Sequence, residues 1–235
     1  MVAILVVLTI VLFIGADLLV QWSRRRRGVQ VAPIKTRVAG AADVLLPGLQ
    51  PERFALPGGL FFHPAHTWAN LLFSGQIKVG VDDFLQKLFG RIDAVTLPPV
   101  GTEVKQGQPL MSIRQGGRVA MLPAPVDGVV CAINGELAKS PNLLRREPYT
   151  RGWLVALRPT DLTADLSRLA IGEGAFRWLK SELSRFEEFL QGIMAVHQDA
   201  LVGATAADGG LSPDGLLERL DEESWKAFQS KFLGA

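Results

Sequence analysis

Pro109-Leu-Met-Ser-Ile-Arg-Gln-Gly-Gly-Arg-Val-Ala-Met-Leu122 reads as two β-type runs folded about a glycine pair. The first run ends at Gly116-Gly117 and the second resumes at Arg118. Glycine reaches positive φ without a Cβ clash, so the pair predicts a tight two-residue hairpin turn. Similar short runs lie on both sides. Gln76-Ile-Lys-Val-Gly80 alternates, as does Arg91-Ile-Asp-Ala-Val-Thr-Leu97, which stops at Pro98-Pro99. Val126-Asp-Gly-Val-Val-Cys-Ala-Ile133 and Gly152-Trp-Leu-Val-Ala-Leu-Arg158 complete the series. Short strands punctuated by glycine and proline predict an all-β sandwich or barrel over residues 60–161, with one helical interruption at 82–89.

The two ends differ in character. Residues 1–16 contain no charge, and the apolar stretch runs to Trp22 with only Asp17 inside it. About 20 residues at about 1.5 Å rise cross a hydrocarbon core, so residues 1–22 predict a transmembrane helix. Asp17 lies about one turn from the interface, where it can snorkel or pair with the arginines. Trp22 suits an interfacial anchor, and Arg24, Arg25, Arg26 and Arg27 follow it. A secretory signal would carry its positive charge before the apolar run. The expected topology is single-pass in a bacterial-type inner membrane, with the N-terminus outside and everything after Arg27 in the cytoplasm. Residues 1–27 would then contact membrane lipid, and the arginines could meet anionic headgroups. Residues 23–59 read as a basic run and a loosely packed linker broken by Pro33, Pro47, Pro51 and Pro57.

Residues 162–235 predict a helical extension, making the whole chain α+β. Phe176, Leu179, Leu183, Phe186, Leu190 and Ile193 recur at spacings of three and four, a heptad seam. A small-residue linker follows at 203–210. Ser212-Pro213 then predicts an N-cap opening a helix to about Phe232, with Leu216, Leu217, Leu220, Trp225 and Phe228 on its apolar face. These helices pack either on the β domain and each other or on another chain; the seam is short for a free-standing coiled coil.

Composition narrows the function. The 235 residues are 48% hydrophobic, enough for a core, and carry a net charge of +2, too little for a nucleic-acid-coating surface. A mean hydropathy of +0.22 reflects the N-terminal segment. One cysteine, Cys131, excludes an internal disulfide and reads as a buried inert thiol in a strand. His63 and His66 form an H-x-x-H pair without a completing carboxylate nearby, so a structural role is expected for His66. His197 falls near a helix end. No phosphate loop or Ser/His/Asp order is present. No cofactor, metal, nucleic acid or small-molecule substrate is expected.

Six segments, in order over residues 60–161, resemble the glycine cleavage system H protein. They are His66-Thr-Trp68, Val79-Gly-Val-Asp-Asp-Phe84, Leu97-Pro-Pro-Val-Gly-Thr-Glu-Val104, Ala124-Pro-Val-Asp-Gly-Val-Val130, Ser140-Pro-Asn-Leu143 and Glu147-Pro-Tyr-Thr-Arg-Gly-Trp-Leu154. The resemblance implies the lipoyl/biotinyl barrel-sandwich fold and a carrier that holds aminomethyl groups and electrons on a lipoyl-lysine at a hairpin tip. It also places a helix start at Asp82-Asp83. Counting back from Ala124, the lysine position implied by the resemblance falls on Gly117, flanked by Gly116 and Arg118. No lysine occurs between Lys105 and Lys139. Lipoylation needs an amine that can lose its proton, and a guanidinium does not supply one.

The leading expectation is therefore a non-enzymatic, unlipoylated H-protein-like subunit, tethered to the membrane and binding other subunits of a membrane complex, with redox or respiration as the setting. Two alternatives stand beside it. One is a lipoyl carrier using a displaced lysine such as Lys105 or Lys87. The other is a periplasmic membrane-fusion adaptor of an export system, against which the arginine run argues.

Overall fold

The computed structural model describes residues 49–196 and 212–234, with side chains omitted at 195–196. The expected transmembrane segment 1–22, with Trp22 and Arg24 to Arg27, lies outside the described residues, as do His197 and the linker 203–210. Among the described residues, no helix is long and apolar enough to cross a membrane.

Among the described residues, nine strands form two antiparallel sheets. The larger contains β1 (Phe61–Phe62), β2 (Thr67–Leu71), β3 (Ile77–Val81), β5 (Glu103–Val104), β8 (Gly128–Ile133) and β9 (Val155–Pro159), in the order β1-β2-β3-β9-β8-β5. The smaller contains β4 (Ala94–Thr96), β6 (Pro109–Gln115) and β7 (Arg118–Pro123), in the order β4-β6-β7. Ile77, Val79 and Val81 on β3 join Met111 and Ile113 on β6 and Ala120 and Leu122 on β7 in one core cluster. The inward residues recur at every second position because successive strand side chains point to opposite faces. Gly80 is fixed by its neighbour: a Cβ there would lie 2.4 Å from the Trp68 ring.

Helix α1 (Asp83–Leu88) starts at Asp82, whose Oδ1 accepts the Leu85 N–H at 2.8 Å, the N-cap that the Asp82-Asp83 pair predicts. Short helices α2 (Glu136–Lys139), α3 (Leu143–Arg146) and α4 (Leu162–Leu166) fill the connections. Helix α5 (Glu173–Val196) is the longest helix among the described residues.

The heptad seam needs correction as a partner surface. Leu179, Leu183, Phe186, Leu190 and Ile193 are buried in this chain's own core, whereas Phe176 is 45% exposed. The buried stripe runs through Ala175, Leu179, Glu182, Phe186, Leu190 and Ile193, one residue off Phe176 at its start. The apolar partners are supplied largely by the chain's last residues. Phe186 meets Phe84 at 5.4 Å, Phe228 at 6.2 Å and Phe232 at 5.6 Å between ring centroids.

Those last residues are not one helix. They form α6 (Leu216–Arg219), α7 (Glu222–Phe228) and a π turn (Gln229–Leu233). The chain breaks at Leu220, and Asp221 starts α7 by accepting the Ser224 N–H at 2.7 Å. The predicted Ser212 cap is displaced: the N-cap of α6 is Gly215, with φ 71° and no side-chain cap. The expected apolar face, Leu216, Leu217, Leu220, Trp225 and Phe228, is buried throughout.

The linker also differs from expectation over its described part. Leu49 and Phe54 are buried, and Ala55 is tied at both backbone groups. Its N–H donates to Asp83 Oδ2 at 2.8 Å, and its carbonyl accepts the Tyr149 hydroxyl at 2.7 Å. Phe54 and Ala55 thus dock on the start of α1, with the Phe54 ring 5.7 Å from that of Phe84.

Candidate functional site

The β6–β7 hairpin carries the position of greatest functional interest. Its turn is Gly116-Gly117, between the paired residues Gln115 and Arg118. Both glycines have positive φ, 54° and 83°, the backbone of a two-residue primed turn. The Gly116 N–H donates to Asp93 Oδ2 at 2.8 Å, and both glycines are exposed. No primary amine lies at this tip.

The sides of the hairpin are engaged. Gln115 Nε2 donates to Arg91 O and to Glu218 Oε1, each at 3.3 Å. Glu218 also accepts the Arg91 backbone N–H. Arg118 donates from Nη1 to Leu217 O at 3.2 Å and from Nη2 to Leu220 O at 2.5 Å. Its guanidinium lies 5.6 Å from the Trp225 ring centroid, and Nε is 3.8 Å from Glu222 Oε2. Gln229 Nε2 donates to Val119 O at 2.6 Å. A polar cleft of about 470 Å³ remains beside the tip, lined by Arg91, Asp93, Gln115, Gly116, Arg118 and Glu218. The sequence reading located the turn but missed these contacts, since residues about a hundred positions apart carry no local signal of pairing.

The displaced-lysine candidates have different surroundings. Lys87 sits on α1, with Nζ 2.8 Å from Asp83 Oδ2, a hydrogen bond to Arg53 O and a position 5.0 Å from the Phe54 ring centroid. Lys105 opens an exposed turn closed by Gln108 N–H to Lys105 O at 3.0 Å. Its ammonium pairs with Asp127 Oδ2 at 2.8 Å, and this hydrogen bond and charge push its pKa upward.

The structural role expected for His66 takes the form of a buried charge cluster. His66 is fully buried with φ 64°. Nδ1 lies 2.8 Å from Asp82 Oδ2, and Nε2 lies 3.3 Å from Glu182 Oε1, which also accepts Arg185 Nη2 at 2.6 Å. The ring stacks on Phe84 at 4.6 Å. Burial alone would lower the pKa of His66, but the Asp82 charge and the hydrogen bonds to Asp82 and Glu182 outweigh it and push the value up to about 9. A protonated ring donates from both nitrogens, tying the residue just before β2, the start of α1 and α5 together. His63 behaves oppositely. Its Nδ1 accepts the Ala65 N–H at 3.1 Å, and burial together with the His66 charge pushes its pKa down to about 4. Among the described residues, no group of three or more His, Cys, Asp or Glu could hold a metal ion.

Cys131 is half-buried rather than buried. It is the extra residue where the β8–β9 register shifts between Val130 and Ala132, and its thiol donates to Ala156 O at 3.3 Å.

Residues 60–182 match the family described as glycine cleavage H-protein. The chain belongs to that family. "Probable glycine cleavage system H protein" of Pyrococcus abyssi is 37% identical over 133 residues, which are 57% of this chain and 98% of that protein. "Glycine cleavage system H protein 2" of Aquifex aeolicus is 35% identical over 119 residues, 51% of this chain and 74% of that protein. The crystal structure of a glycine cleavage system H protein from Mycobacterium marinum is 25% identical, covers 54% of this chain and 98% of that one, and superposes with a TM-score of 0.46. The H-protein match encloses the hairpin, His66, Asp82 and Glu182, and ends within α5. Helices α6 and α7 lie beyond it.

Proposed function

We propose that this chain is a non-carrier member of the H-protein family: an unlipoylated, non-enzymatic module that binds other protein subunits at a membrane. The observation that carries this reading is the hairpin tip, where Gly116-Gly117 stands and no lysine occurs from residue 106 to residue 138. Acylation requires an amine that loses its proton and attacks an activated carbonyl, and the adjacent basic residue, Arg118, is a guanidinium engaged with α6. The apolar residues 1–22 and the arginines at 24–27 support anchorage with the domain on the cytoplasmic side of a bacterial-type inner membrane. Co-expression of the full chain with a lipoate ligase, followed by intact-mass spectrometry, tests the reading. An unchanged mass is expected, and a gain of one lipoyl group overturns it.

Lys105 supports a second reading, a carrier with a displaced attachment point, because it lies on an exposed turn. In that case the mass gain would disappear in Lys105→Arg.

A further inference from the structure

We propose that residues 212–234 act as a cap in cis that keeps other proteins off the β6–β7 hairpin, with Arg118 as its latch. The inference rests on the non-carrier reading: the tip glycines stay exposed, and what the cap engages is Gln115, Arg118 and the β7 edge on either side of them, which another protein gripping the hairpin would have to approach.

Three features of the contact carry it. First, the fastening comes from both strands immediately beside the turn. Gln115 reaches Glu218 from β6, while Arg118 and Val119 on β7 meet Leu217, Leu220 and Gln229. Second, Arg118 is matched to what it meets. The last carbonyls of a helix have no intrahelical partner, and a cation at that end is favoured. Arg118 supplies donors to the carbonyls of Leu217 and Leu220 and lies over the Trp225 ring. Third, β7 is an edge strand of the three-stranded sheet. An edge presents unpaired backbone groups that invite another strand, and a covering helix blunts it. Phe228 and Phe232 anchor the other side of the cap on α5. The cap lies outside the family match, so it is an addition to the H-type domain.

The test restores an amine and then loosens the cap. In full-length Gly117→Lys, a Cβ at position 117 meets no atom within 4 Å, so the side chain has room, while φ 83° strains the turn equally in both variants compared. Acylation there would proceed by attack of Nζ on the carbonyl carbon of lipoyl-adenylate. The C–N bond forms, the C–O bond to phosphate breaks, and AMP and a proton leave. The triple variant Gly117→Lys, Arg118→Ala, Trp225→Ala removes the latch and the ring beneath it. Peptide mapping with a lipoate ligase is expected to give acylation at position 117 at least about tenfold faster in the triple variant, the factor that loss of one charged hydrogen bond corresponds to. Hydrogen exchange on the full chain with only Arg118→Ala and Trp225→Ala supplies an independent readout. Amides 116–119 and 216–228 are expected to exchange faster together, with β3 and β9 still protected. Equal acylation rates, or hairpin amides as protected as in the parent, overturn the proposal. Acylation of the unaltered chain on one of its own lysines would defeat the non-carrier reading instead, and the comparison at position 117 would still stand.

Discussion

Stability should fall as pH rises from 6.5 to about 9, and His66 sets the slope. In the unfolded chain its imidazole loses its proton near the ordinary value of 6.5, whereas in the fold the proton is held to about 9. The folded state therefore binds this proton more tightly. The stabilisation is fully present below pH 6.5 and is lost as pH rises through about 9. A shift of this size corresponds to about 3 kcal/mol, at about 1.4 kcal/mol per pH unit inside the window. On the acid side, His63 works the other way. Its folded pKa of about 4 means the unfolded chain takes up a proton first, so stability also declines as pH falls from 6.5 toward 4. A maximum near pH 6.5 follows. Urea unfolding of the full chain in detergent, read by tryptophan fluorescence, measures this. Trp68, Trp153, Trp178 and Trp225 all lie in the folded domain. The midpoint should drop by about 1–2 M across the alkaline window. His66→Asn tolerates the positive φ and has no proton to lose, so it should be less stable at pH 6.5 and flat above it. A parent midpoint that is level or rising between pH 6.5 and 9 would refute the assignment of a protonated His66.

Two further outcomes are expected. Phe186→Ala should destabilise the domain by about 3–5 kcal/mol, because this fully buried ring joins α1, α5 and the C-terminal helices, whereas Phe176→Ala should change stability by less than about 0.5 kcal/mol. Matched denaturation curves check both, and a large loss from Phe176→Ala would restore the original seam. For topology, a C-terminal reporter fusion in a bacterial host should give cytoplasmic fluorescence and no periplasmic phosphatase activity, and the reverse would reject the proposed orientation.

Strands β3, β4, β6, β7, β8 and β9 and helix α1 were legible in the sequence because each has a local signature: alternation, a glycine or proline stop, or an N-cap. Strand β2 lacked one. Thr67, Trp68 and Ala69 are consecutive and all buried, since Ala69 joins the main core while Trp68 packs with Leu60, Phe62 and Ala175 in a second cluster. Burial on both faces removes the period-two signal. The seam on α5 was legible as spacing, but spacing does not say what covers a face; here the answer came from residues 216–233. The hairpin turn was readable because two adjacent glycines permit it, while its latch was not. Arg118 and Leu220 become neighbours only in the fold, as do His66 and Glu182, which are 116 residues apart.

The absent amine at the hairpin tip bears most weight, and the intact mass of the full chain purified from its own cells tests it most directly. A mass equal to that of the unmodified chain is the predicted result. A population heavier by one lipoyl group, traced by peptide mapping to any lysine, would contradict it.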